Sequence, residues 1–142
     1  MRFIDSNVFI HAFLKPRRRL EIHEAEIKED AKGIIAGLEE GDEAITTVVH
    51  VSEVANILES RASPRDAREI LEAIVSLQSL KILGVTGEMY KAAVLASELM
   101  NLGVNDTLAY HTMKDREIDE IYSFDKHFDP LKDIRRLTRA AS

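Results

Sequence analysis

Four acidic side chains interrupt apolar or small-residue stretches close to the points where one element gives way to the next: Asp5, Glu53, Asp106 and Asp125. Separations of 48, 53 and 19 residues mean that only a tertiary fold can gather them. Carboxylates brought together repel one another and need a proton or a cation between them. An oxygen-only set suits Mg²⁺ or Mn²⁺ better than zinc, which prefers nitrogen and sulfur donors. The chemistry such a set serves is phosphoryl transfer, with one metal activating a water and a second able to stabilise the departing oxygen. No side-chain nucleophile is then required, in keeping with a chain that has no cysteine and no G-x-S-x-G elbow.

Local context sharpens the choice of acids. Glu53 has Val49, Asn56 and Ile57 at three- and four-residue spacing and Ser52 beside it, a mixed face unlike a solvated helix surface. The hydroxyls of Thr46, Thr47 and Ser123 are candidates to orient carboxylates or waters. Asp5, Ser6 and Asn7 admit a second reading, because all three residue types are favoured helix N-caps. His11, His23, His50, His111 and His127 show no tight metal-ligand spacing and are expected at the surface or partly buried. His127, two residues after Asp125, is the one nearest the acids in sequence. Nucleotide cofactors are not implied, since both G-x-G-x-x-G and G-x-x-x-x-G-K-[ST] are absent. Arg17, Arg18, Arg19, Lys126, Arg135 and Arg136 are candidates for phosphate contacts, with solvated loop and tail charges as the competing explanation.

These residues need elements to hold them. Phe3 and Ile4 read as a short buried strand, and an apolar helix follows from about Asn7 through Leu14. Asp5 then stands at a strand's carboxyl end, where open α/β sheets collect ligands. Helical spacing runs from about Glu24 to Glu40, and residues 43–47 read as a second strand. Val48 to Arg61 is helical, and Ser63-Pro64 caps and starts the next helix. Residues 80–85 suggest a third strand. Thr86 opens a helix to about Leu102 with Gly103 as its stop, and Asn105-Asp106-Thr107 opens another from Leu108 to about Arg116. Strands near 120–123 and 134–137 complete the series. Strands alternating with helices predict a parallel sheet covered on both faces.

Composition bounds the class. The 142 residues suit one domain, 1–142, with a real core. Nineteen Lys and Arg against 25 Asp and Glu leave a net charge of −6, which argues against a general electrostatic coat for nucleic acid. No apolar run reaches membrane-spanning length, and the opening residues lack a signal-peptide pattern. Together with the missing cysteines, this leads to the expectation of a cytoplasmic protein without membrane contact.

Four blocks, in order, resemble the signature blocks of PIN domains: Ile4-Asp5-Ser6-Asn7-Val8-Phe9-Ile10, Ser52-Glu53-Val54, Asn105-Asp106-Thr107-Leu108-Ala109 and Ser123-Phe124-Asp125-Lys126-His127-Phe128. No block is specific alone, but four in register span essentially the whole chain. The likeness is greatest to small, stand-alone, VapC-like proteins of prokaryotes. The third block is less typical, because Asn105 and Thr107 flank its acid, and Ser123 stands where the last block often has Thr. The resemblance implies a three-layer α/β fold with about five parallel strands flanked by helices. It implies an endoribonuclease dependent on Mg²⁺ or Mn²⁺, with Asp5, Glu53, Asp106 and Asp125 as catalytic and metal-site carboxylates. Asn7 and Ser123 match supporting polar positions, and Asp129 is read as structural or peripheral. The partners implied are an RNA substrate, an antitoxin protein and a second copy of the chain as a homodimer. Alternatives are a non-catalytic module that accepts a basic peptide or RNA, and an RNA-processing nuclease without an antitoxin. A haloacid-dehalogenase-like phosphatase fits poorly, since it needs a second Asp where Asn7 stands.

Overall fold

The computed structural model describes residues 1–141; Ser142, the last residue of the expected domain, lies outside the described residues. Strands β1 (Arg2–Ile4), β2 (Ala44–Thr47), β3 (Leu80–Leu83), β4 (Glu120–Tyr122) and β5 (Arg135–Leu137) form one parallel sheet in the order β3-β2-β1-β4-β5. Neighbouring side chains on a strand point to opposite faces. Phe3 and Ile4 are both completely buried, so the central strand is covered on each side. Ile4, Ala44 and Tyr122 pack on one face, while Phe3, Ile45 and Ile121 pack on the other.

Helices α1 (Ser6–Phe13), α2 (Ile22–Glu39), α3 (Val48–Arg61) and α4 (Pro64–Val75) supply the first cover through Val8, Phe9, Ile34, Val54, Leu58, Ala67 and Ile74. Helix α6 (Val104–Asp115) covers the second face through Ala109 and Met113. Helix α5 (Gly87–Met100) lies beside α6 and buries Ala93. The result is the expected three-layer α/β architecture. Its helix starts follow local chemistry. Ser63 Oγ accepts the Asp66 amide at 3.0 Å with Pro64 in the first turn, and Thr86 Oγ1 accepts the Met89 amide at 3.1 Å.

Two boundaries differ from the sequence expectation in ways that matter. Helix α5 stops at Asn101, whose left-handed backbone (φ 54°) ends the hydrogen-bonded run before Gly103 is reached. Gly103 instead caps the start of α6, which therefore begins one turn earlier than expected. Asp106 consequently sits inside the first turn of a helix, where the exposed amide dipoles favour a negative charge. A one-turn 3₁₀ helix at Lys126–Phe128, which periodicity did not reveal, follows Asp125. No helix is long and apolar enough to cross a membrane among the described residues.

The chain builds outward from β1 in one direction to β3, then returns to lay β4 and β5 on the other side. This reversal opens a crevice between the carboxyl ends of β1 and β4. Core packing sets the stability of that frame. Leu58→Ala, which empties a fully buried position on α3, is expected to cost about 2–5 kcal/mol. Ile22→Ala, at a position 81% exposed, should stay within about 0.5 kcal/mol. Equilibrium urea denaturation of both variants checks the contrast, and equal losses would contradict this assignment of the core.

Candidate metal centre

Asp5 is the first residue beyond β1, and its amide donates to the Tyr122 carbonyl at 3.0 Å, tying it to the end of β4. Its side chain is only 3% exposed. Burial of a carboxylate is costly unless its oxygens are hydrogen-bonded. Oδ1 accepts the Ser6 amide at 2.9 Å, and Oδ2 accepts the Ser123 hydroxyl at 2.8 Å and the Asn7 amide group at 3.3 Å. The capping and site readings of Asp5 therefore coexist: one oxygen caps α1 while the other faces β4.

Ser123 joins two of the acids. Its hydroxyl donates to Asp5 and accepts the Asp125 backbone amide at 3.0 Å. Asn7 secures the same corner, since its side-chain oxygen accepts the Phe124 amide at 3.2 Å and its nitrogen lies 3.4 Å from Ser123 Oγ. Glu53 arrives from α3 on the next strand over. The buried Ser6 hydroxyl donates to Glu53 Oε1 and also lies 3.5 Å from Asp5 Oδ1. Sequence reasoning treated Ser6 only as a cap. The missed signal was a hydroxyl directly beside a buried acid.

Asp106 faces this group from α6. Asp106, Asp125 and His127 present ligand atoms all within 4.8 Å of one another, and His127 Nδ1 lies 3.0 Å from Asp125 Oδ1. Burial pushes the Asp106 carboxyl up to about 7, and repulsion from Asp5, Asp125 and Glu53 adds to it. Burial likewise raises Asp5 to about 6, although Ser123 and the Ser6 amide oppose the rise. Asp106 thus feels the charges of Asp5, Asp125 and Glu53, and Asp5 feels those of Glu53 and Asp125. No Lys or Arg forms a salt bridge with any of them among the described residues; the one ion-pair contact is that of His127. An acid-rich site with no Lys or Arg paired to it fits a divalent cation.

The outer residues divide differently from expectation. Thr47 does not reach a carboxylate: its hydroxyl caps α3 and bonds the His50 ring at 2.7 Å. The buried Thr46 hydroxyl has no hydrogen-bond partner. His50 is fully buried rather than superficial, and burial lowers its pKa to about 4. Among the candidate phosphate contacts, Arg18 makes a two-pronged pair with Glu24 at 2.7 and 2.9 Å, and Arg17 donates to the Arg61 carbonyl at 3.0 Å. Arg135 pairs with Glu120. Arg136 grips Asp129 at 2.7 and 3.1 Å and donates to the Ser123 carbonyl at 3.2 Å, so this cation braces the site from behind. Arg19 and Lys126 form no salt bridge among the described residues.

The raised acids fix the sign of a pH effect. Both bind a proton more tightly when folded than when unfolded, so their stabilising contribution is complete below the ordinary carboxylate range. It is lost as pH rises through about 6 and about 7. Metal-free protein should therefore melt lower at pH 8 than at pH 5.5. Asp106→Asn should raise the metal-free melting temperature at pH 8 by a few degrees, about 1–2 kcal/mol. Calorimetric scans at both pH values check this, and a destabilised Asn variant at pH 8 would refute the repulsion.

Comparison with known proteins bears on the family and the fold. The sequence matches the PIN domain family model over residues 2–134. No curated protein matches it in sequence. Among solved structures it is similar to VapC20 of Mycobacterium tuberculosis, described as a toxin that cleaves the sarcin–ricin loop. That likeness has a TM-score of 0.70 at 18% identity over 93% of this chain and 95% of that one. It is similar to a toxin–antitoxin complex from Klebsiella pneumoniae (TM-score 0.64, 12% identity, 99% and 100% of the two chains). It is also similar to VapBC2 of Rickettsia felis, solved with a DNA fragment from its promoter (0.65, 11%, 96% and 96%). At such low identity these likenesses speak for the fold, and the family match covers nearly the whole sequence: this chain belongs to the PIN domain family.

Proposed function

We propose that this PIN domain is a metal-dependent endoribonuclease of the toxin–antitoxin kind, hydrolysing RNA phosphodiester bonds at Asp5, Glu53, Asp106 and Asp125. The observation that carries the reading is the convergence of these acids at the crevice beside β1 and β4 with no Lys or Arg paired to them. The similar Mycobacterium tuberculosis protein is described as a toxin that cleaves the sarcin–ricin loop, which supports a nuclease reading. Mg²⁺ or Mn²⁺, when bound, would supply an activated water and charge stabilisation for the in-line displacement.

The chain's own residues prepare that chemistry. Asp5, Glu53, Asp106 and Asp125 would hold the cation. Ser123 and Asn7 orient Asp5, and Ser6 holds Glu53 toward it. Preorganised acceptors of this kind need no rearrangement when the scissile phosphate arrives. Lys126, directly after Asp125 and exposed, is a candidate to meet an RNA phosphate. The concentration of acid at the site means that RNA approaches productively only once a cation has neutralised it.

Cleavage of a mixed RNA pool by purified protein tests the reading. Activity should require Mg²⁺ or Mn²⁺ and stop on chelation. Asp5→Asn and Asp106→Asn should each reduce it by about a thousandfold or more while still folding. Folded, metal-loaded protein that cuts nothing across a broad RNA panel would instead favour a binding module for a basic partner.

Two partners belong to the same proposal. An antitoxin is supported by the Klebsiella and Rickettsia likenesses, both to toxin–antitoxin assemblies. A homodimer is supported by Leu95 and Leu99, which stand exposed on α5 beside the half-exposed Tyr90 and Val94. Sedimentation of the wild type should give a dimer that Leu99→Glu dissociates. Monomer alone at high protein concentration would remove the dimer.

A further inference from the structure

We infer that His50 is a positioning residue of the acidic centre, tying the start of α3, which carries Glu53, to the first turn of α6, which carries Asp106. The inference rests on the metal-centre reading above. His50 lies one turn before Glu53, and its Nε2 is 3.1 Å from the Asn105 carbonyl, immediately before Asp106. This is the one hydrogen bond joining α3 to α6 among the described residues. A carbonyl only accepts, so Nε2 carries the proton and donates. Nδ1 is then an acceptor, and the Thr47 hydroxyl donates to it at 2.7 Å. That hydroxyl also accepts the His50 amide at 3.2 Å. The two groups thus lock one another, and the ring has one tautomer and one orientation.

An aromatic contact holds the ring as well. Phe3 of the central strand and His50 meet in a T-shaped arrangement, with centroids 5.0 Å apart and planes at 77°. A fully buried imidazole therefore connects the end of β2, the core of β1 and the entry to α6. Carboxylates on α3 and α6 repel, and that repulsion would drive the two helix ends apart. The His50 bond opposes the separation at the backbone itself. Groups behind metal-binding residues set their orientation, and losing one commonly weakens metal affinity by about 10–100-fold.

His50→Gln and His50→Met in the full chain separate positioning from packing. Both side chains have similar length, but only Gln offers an N–H where Nε2 stood. Mn²⁺ affinity, measured by calorimetry or by the spectrum of the free ion, should fall about tenfold or more in the Met variant. The Gln variant should stay within about threefold of wild type. A purely structural role predicts lower melting temperatures with unchanged Mn²⁺ affinity, and that result overturns the inference. Equal loss of affinity in both variants overturns it too. Should the Met variant fail to fold, Thr47→Val replaces it. That change frees the ring's other end, and wild-type affinity in it counts against the inference. If the wild-type protein binds no Mn²⁺, the metal-centre reading has failed, and metal-free amide exchange at Thr107, Leu108 and Ala109 becomes the measure. It should be about tenfold faster in the Met than in the Gln variant, and equal rates there overturn the role of His50 on their own.

Discussion

A carboxylate taken out of water at the centre of the sheet, Asp5, is the constraint to which the rest of this molecule answers. Burial alone would make its charge untenable, and its pKa does rise. Three donors from two sides keep it ionisable: the Ser6 amide, the Ser123 hydroxyl and the Asn7 side chain. Two of these belong to the helix that Asp5 itself starts, and the third, Ser123, is the first residue past β4. Strand order therefore matters chemically. Because β4 returns to lie beside β1, Ser123 is delivered within reach of an acid 118 residues earlier.

From that anchor the other acids are placed by rigid elements. Glu53 and Asp106 are carried on helices, and Asp125 is carried on the turn held by Ser123 and capped onto a 3₁₀ helix. The first turn of α6 offers Asp106 a favourable dipole, while the neighbouring carboxylates oppose its ionisation. Repulsion is thus balanced by covalent and hydrogen-bonded scaffolding rather than by an internal counter-charge. Arg136 contributes at a distance, joining Asp129 to the Ser123 carbonyl so that the loop behind the acids stays in place.

Much of this was legible from residue order. The apolar pair Phe3-Ile4, the Ser63-Pro64 start and the Thr86 cap each mark elements that occur within a few residues of where the sequence predicts them. The start of α6 was misread because Gly103 suits both a helix stop and a helix cap. Asn101 had already ended α5 through its left-handed backbone. Sequence marks His50 only as a surface or partly buried residue, because nothing in its neighbourhood along the chain says that Asn105 will stand opposite. Thr47 is a candidate to orient carboxylates or waters on sequence grounds, whereas its local geometry commits it to the cap and the ring.

Residue order by itself determined the alternation of strands and helices, the places of the four acids along them, and the lack of any cysteine or G-x-S-x-G elbow. Those properties are local: they follow from periodicity, capping chemistry and composition, each set within a few positions. Tertiary structure alone decided which groups meet. The order β3-β2-β1-β4-β5 brings Ser123 to Asp5, and the start of α3 at the carboxyl end of β2 brings His50 to Asn105. Burial and mutual repulsion, which raise Asp5 and Asp106, exist only once distant carboxylates share one water-poor crevice.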